Sequence, residues 1–306
     1  MIEASLDAVR INFSTETLWI LNLILAFIMF GVALDITLDD FRKLLRHPKP
    51  ILVGILSQFL VLPFITFLLV LILRPMPSMA LGMFLVAACP GGNISNFISS
   101  LGKGNTALSV TLTANATLLA IIFTPLNLSL WGSMYEPTNL LLKEIAIDPL
   151  EMIELVTLIL GLPLIAGVWI NHRFRQTAKK ISRYLKICSL GFFICLILLV
   201  VFNNWELIKE YLIYVFWLVL LHNALAFFTG FSLARLARLS VADVRSITIE
   251  TGIQNSGLGL VLIFTFFDGL GGMAIITAFW GIWHLISGSL LGSFWALTPI
   301  RKNARP

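Results

Sequence analysis

The chain has 306 residues, of which 58% are hydrophobic and 12% charged, and its mean hydropathy is +0.94. So little charge excludes an ordinary water-soluble domain and leaves an all-α integral membrane protein. The net charge of +5 is dispersed over short connections between apolar runs, which excludes a nucleic-acid surface and reads instead as a topology signal.

Residues 1–17 mix acids and polar groups and lack the basic start and apolar centre of a signal peptide, so no cleavage is expected. A helix needs roughly 20 apolar residues to cross the hydrocarbon core. On that criterion nine spans are predicted, at about 18–36, 50–74, 79–100, 105–131, 151–171, 184–203, 210–234, 244–267 and 272–297. Pro63, Pro90, Pro125 and Pro163 fall inside spans, where freed backbone groups must be satisfied by protein or by a polar cavity. The connection at 132–150 is expected to lie along the interface as an amphipathic segment. No soluble domain of useful size intervenes, so residues 1–306 form one membrane domain.

Alternate connections and the tail hold 17 of the 21 basic residues, among them Arg42, Lys103, Arg173, Arg235, Arg245 and Arg301. The amino terminus is therefore expected outside and the carboxyl terminus in the cytoplasm, across a plasma or bacterial inner membrane. That alternation requires an odd number of crossings. Cys89, Cys188 and Cys195 have no CxxC spacing and read as buried thiols.

Polar residues deep in spans mark function, because an ionisable group there costs a few kcal/mol unless it faces a partner or a cavity. Glu250 is the clearest case, within ITIETGIQNSGLGLV. In CPGGNISNFISSLGKGN, Pro90, Gly91 and Gly92 predict a break in the third span, followed by Asn93, Ser95, Asn96, Ser99 and Ser100. The eighth span is interrupted likewise at GIQNSG. Two breaks at comparable places fit an inverted repeat whose discontinuous helices build a site at mid-membrane.

Ser109 and Thr113, four residues apart, share one face of the fourth span. Helix-to-helix bonding is their simpler separate explanation. Gln58 in the second span reads equally as glue or ligand, and His222 and His284 read as packing histidines. One carboxylate with carboxamide, hydroxyl and carbonyl oxygens suits a hard cation such as sodium. A proton on Glu250 suits the same residues almost as well.

The segments FGVALDITLDDFRKLLRHPK, CPGGNISNFISSLGKGNTALSVTLT, IETGIQNSGL and WHLISGSLLGSFW resemble the bile acid:sodium symporter family, in order, from about residue 20 to 297. The resemblance implies an inverted-repeat transporter in a nine-helix form. Its core would be the helices at about 50–131 and 210–297, and its panel those at about 18–36, 151–171 and 184–203. It further implies one sodium site at Ser95, Asn96, Ser109, Thr113 and Glu250, and a second at Gln58, Glu250, Thr251, Ile253 and Gln254. Asn93, Asn255 and His284 would face the substrate.

Leu285 departs from the asparagine common in relatives, which bears on substrate choice. The expected function is sodium-coupled symport of an organic anion, bile-acid-like or a small carboxylate, by alternating access in a monomer. Two sodium ions act as coupling ions and no cofactor is expected. The alternative is a proton-coupled or arsenite-exporting permease of the same superfamily. Neither HExxH, a GxSxG elbow nor paired intramembrane aspartates is present, so no enzyme is expected.

Overall fold

The computed structural model describes residues 6–10, 15–40, 42, 48–92, 94–145, 149–185, 188, 191, 195 and 205–298. Helix α1 is Thr15–Ala33 and α2 is Pro48–Leu73. The third span is two helices, α3 (Pro77–Ala88) and α4 (Ile94–Leu101), followed by α5 (Thr106–Met134) and the short α6 (Glu136–Ile145). Helix α7 runs from Pro149–Val156 through a π-turn at Thr157–Gly161 to Leu162–Arg173. Helix α8 is Trp205–Leu236; α9 (Val241–Gly252) and α10 (Ser256–Phe266) divide the eighth span; α11 is Gly271–Leu297. The predicted span at 184–203 lies almost wholly outside the described residues.

Among the described residues, five helices are long and apolar enough to cross a membrane: α2, α5, Leu150–Arg173 in α7, Lys209–Leu236 in α8, and α11. Helices α3 and α10 are apolar but shorter, as half-spans must be. Ile72, Ile213, Leu236 and Leu297 leave more than 70% of their surface uncovered. Such large apolar side chains pointing outward suit a lipid solvent and would be costly in water.

Each interruption has a local cause. Pro63 cannot donate to the Phe59 carbonyl four residues back, and α2 responds with a π-turn at Ser57–Val61. The Asn127 carboxamide of α5 reaches across to donate to that carbonyl at 3.1 Å. The sequence did not predict the π-turns; proline two residues past each turn, at Pro63 and Pro163, was the available signal. Helix α6 occupies the connection expected to be amphipathic, with Glu136 in its first turn and Lys143 in its last, as the helix dipole favours.

The buried core gathers α3, α10 and α11 around Phe84, Phe267 and Trp280. Helix α1 packs against the second half of α7 and against α10. At one end, residues 6–10 lie over the starts of α3 and α11. The Asp7 carboxylate accepts the Ser78 amide at 2.8 Å, and the Val9 carbonyl accepts the Gly271 amide at 2.9 Å.

Two sequence readings need correction. Cys89 is buried as expected, but Cys188 and Cys195 are exposed, because the outer face of an apolar span meets lipid and a thiol there need not enter the protein core. Arg245, counted among the loop charges, lies inside α9 and is buried. Its guanidinium donates to the carbonyls of Gly102, Trp295 and Thr298 at 2.8–3.2 Å and stacks over the Trp295 ring.

Candidate functional site

The two interrupted spans meet at their breaks. The Gly92 amide donates to the Ile253 carbonyl, and the Asn255 amide donates to the Pro90 carbonyl, both at 2.9 Å. Three more of the freed carbonyls take side-chain partners, as burial favours. Ala88 accepts from the Thr124 hydroxyl at 2.7 Å, Cys89 from the Gln58 carboxamide at 2.7 Å, and Gly252 from the Asn223 carboxamide at 2.8 Å.

Glu250 sits in the last turn of α9, just before its break, with 4% of its surface exposed. Its Oε2 accepts the Ser95 hydroxyl at 2.6 Å and the Ser109 hydroxyl at 3.1 Å, and its Oε1 accepts the Thr113 hydroxyl at 2.7 Å. Thr113 also lies 3.3 Å from the Asn96 Oδ1. The first predicted oxygen group is thus assembled from α4, α5 and α9. Gly91 makes room for it, since a Cβ at that position would collide with Glu250 Oε1.

The registry of α9 is fixed at its start. Ser240 caps the helix, and the Asn105 carboxamide donates to Asp243 at 2.7 Å while the Asn105 amide donates to the Ala242 carbonyl at 3.1 Å. These bonds tie the start of α9 to the residue that caps α5, and so set Glu250 against Ser109 and Thr113.

The second group is assembled around two carboxamides. Gln58 Nε2 donates to Gln254 Oε1 at 2.9 Å, and Gln254 Nε2 donates to the Thr251 carbonyl at 2.7 Å. Ser57, absent from the predicted set, adds its hydroxyl 2.9 Å from that of Thr251. The hydrogen bonds of Glu250 among the described residues all go to the first group.

Among the described residues no Lys, Arg or His lies within ion-pair distance of Glu250, and no three His, Cys, Asp or Glu side chains converge. The donors on offer are therefore one carboxylate and neutral oxygens, a set matched to a hard cation. A buried carboxylate held only by hydroxyls is costly in charged form. A small cation arriving beside it would supply the missing counter-charge.

Of the residues predicted to face a substrate, Asn255 is half-buried, caps α10 by accepting the Leu258 amide at 3.1 Å, and places its Nδ2 3.8 Å from the Met29 sulfur of α1. It therefore lies at the seam between α1 and the second break. His284 is buried in α11, and among the described residues its Nδ1 has no hydrogen-bond partner. Asn93 lies outside the described residues.

Asn223, beside His222, and Thr124 and Asn127, three residues apart in α5, were not singled out from the sequence; each is a polar residue within a largely apolar span. That was the one signal available for them.

Comparison with known proteins gives the family of the chain. The model of the sodium bile acid symporter family matches residues 22–211. The chain is 33% identical over 296 residues to a Bacillus subtilis (strain 168) protein described as the uncharacterized sodium-dependent transporter YocS, covering 96% of this chain and 89% of that one. It is 30% identical over 246 residues to the ileal sodium/bile acid cotransporter of Homo sapiens, covering 78% and 67%. It is also 33% identical over 267 residues to an Arabidopsis thaliana protein named "Probable sodium/metabolite cotransporter BASS1, chloroplastic", covering 87% and 64%.

Proposed function

Because the chain belongs to the sodium bile acid symporter family, we propose that it imports an organic anion by sodium-coupled symport, with alternating access as the mechanism. The protein is a multi-pass integral membrane protein and a sodium-coupled transporter at the level its relatives share. The finer reading is a nine-helix inverted repeat with amino terminus outside. Helices α2–α5 and α8–α11 form its core, and α1, α7 and the span at 184–203 its panel.

Two sodium ions act as cargo. One is taken by Ser95, Asn96, Ser109, Thr113 and Glu250, the other by Gln58, Glu250, Gln254 and the carbonyls of Thr251 and Ile253. Each hydroxyl that donates to Glu250 has lone pairs that turn to the ion once it docks against the carboxylate. With both breaks braced by ions, Asn93, Asn255 and the amino-terminal ends of α4 and α10 present donors to a substrate carboxylate in the seam with α1. His284 of α11 is assigned to the same substrate.

The observation that carries this reading is the buried Glu250 carboxylate held by three hydroxyls with no basic partner among the described residues. The test is uptake of taurocholate, lactate and pyruvate into proteoliposomes. Wild-type uptake of at least one of them is expected with an inward sodium gradient and not with potassium, and Glu250→Ala is expected to abolish it. Uptake driven equally by a proton gradient in potassium would favour the proton-coupled alternative. The arsenite alternative lacks a soft-ligand set, since Cys89 is the one buried thiol among the described residues.

A further inference from the structure

The two breaks are built from the same parts. Cys89 and Gly252 stand 163 residues apart, as do Pro90 and Ile253, and Gly92 and Asn255. The crossing bonds respect that pairing: Gly92 donates to Ile253 just as Asn255 donates to Pro90. At the first break the Gln58 carboxamide of α2 holds the Cys89 carbonyl; at the second the Asn223 carboxamide of α8 holds the Gly252 carbonyl. Thr124 of α5 and Ser287 of α11 are also 163 residues apart. Thr124 donates to the Ala88 carbonyl at 2.7 Å, and Ser287 donates to the Asn223 Oδ1 at 2.6 Å. Each break is thus held by one carboxamide from the full-length helix before it; the hydroxyl from the helix after it bonds the break directly in the first case and bonds the bracing carboxamide in the second.

The two braces differ in what else they touch. Gln58 also reaches Gln254 and so belongs to the second oxygen group. Asn223, 1% exposed, has its donor committed to Gly252 and its acceptor to Ser287. Gly252 lies between Thr251 and Ile253, and it has no side chain with which to anchor its own peptide. A Cβ there would strike the Phe227 ring. The flanking carbonyls each have one partner of their own, Thr251 in the Gln254 carboxamide and Ile253 in the Gly92 amide, and the Gly252 peptide that links them is held from outside by Asn223.

We propose that Asn223, locked by Ser287, is a positioning residue for the second sodium site, keeping the Thr251 and Ile253 carbonyls aimed at one ion. This rests on the reading of those carbonyls as sodium ligands given above. Partners one layer out from a metal ligand typically change affinity by about 10–100-fold when removed.

The test is thermal unfolding of the purified full chain in detergent, titrated with sodium chloride while potassium chloride holds the ionic strength. Asn223→Ala is expected to raise the sodium concentration giving half-maximal stabilisation by about tenfold or more. Ser287→Ala should shift it several-fold in the same direction, and Ser287→Thr should restore it to near wild type. A purely structural role would lower the melting midpoint in potassium yet leave the sodium midpoint unmoved in both alanine variants. That result overturns the inference and leaves the transport reading standing. If wild type gains no stability from sodium, the transport reading falls and the inference falls with it. Should Asn223→Ala fail to fold, the Ser287→Ala and Ser287→Thr pair decides the matter by the same midpoint.

Discussion

Thr113 donates to Glu250 Oε1 while Ser95 and Ser109 share Oε2, so each carboxylate oxygen has its own hydroxyl support. A hydrogen bond to a charged group contributes about 1.5–3 kcal/mol, which corresponds to a tenfold or greater change in an equilibrium. Thr113→Val removes the hydroxyl with little change of shape and is expected to raise the sodium midpoint of uptake by about tenfold or more. Thr113→Ser should fall close to wild type, and an unmoved midpoint in the valine variant would take Thr113 out of the site. Gly91→Ala forces a methyl group into the space of Oε1. Sodium-driven uptake should be lost while the protein still elutes as a single monodisperse species, and normal uptake would mean that the carboxylate can swing clear. Glu250, Ser109 and Thr113 were legible in the sequence because charge and helical spacing single them out. Arg245 was not, since a basic residue near a span end reads as a loop charge until its carbonyl partners just past α4 and on α11 are seen.

At the scale of elements, both breaks were legible because their causes are local. Proline and paired glycines end α3, and an Asn-capped restart opens α10. The π-turns depend on partners distant in sequence and so escaped prediction. In α2 the turn leaves the Phe59 carbonyl to Asn127, on a helix nearly 70 residues away in sequence. Asn127→Leu should strand that acceptor in an apolar setting, at a cost of about 1–3 kcal/mol. A lower melting midpoint in detergent, with the sodium midpoint unchanged, is the expected outcome. An unchanged melting midpoint would mean that the turn finds another donor. The swap of Asn127 separates support of the helix from support of the ion, which Gln58→Ala cannot do because Gln58 serves both Cys89 and Gln254.

For the whole molecule, the proposed ion and substrate sites share one crossing, where α4, α5 and α9 meet and α10 begins. If ions and substrate favour the same conformation, linkage requires that each raise the affinity of the other by one common factor. Adding sodium should therefore tighten taurocholate or small-carboxylate binding, and a bound anion should lower the sodium midpoint by the same ratio. Unequal ratios in calorimetric titrations would show that the two ligands do not share a two-state equilibrium. The membrane character was legible from composition alone, but the tuck of residues 6–10 over α3 and α11 was not, because five residues are too few to carry a periodic pattern.

The bonds that join Gly92 to Ile253 and Asn255 to Pro90 run from main chain to main chain. Evolution can therefore redecorate the junction without unfastening it, and side-chain truncation surveys will pass over it in silence. Only chemistry that edits the peptide link itself, such as replacing the amide at 92 or 255 with an ester, would make this seam report its strength.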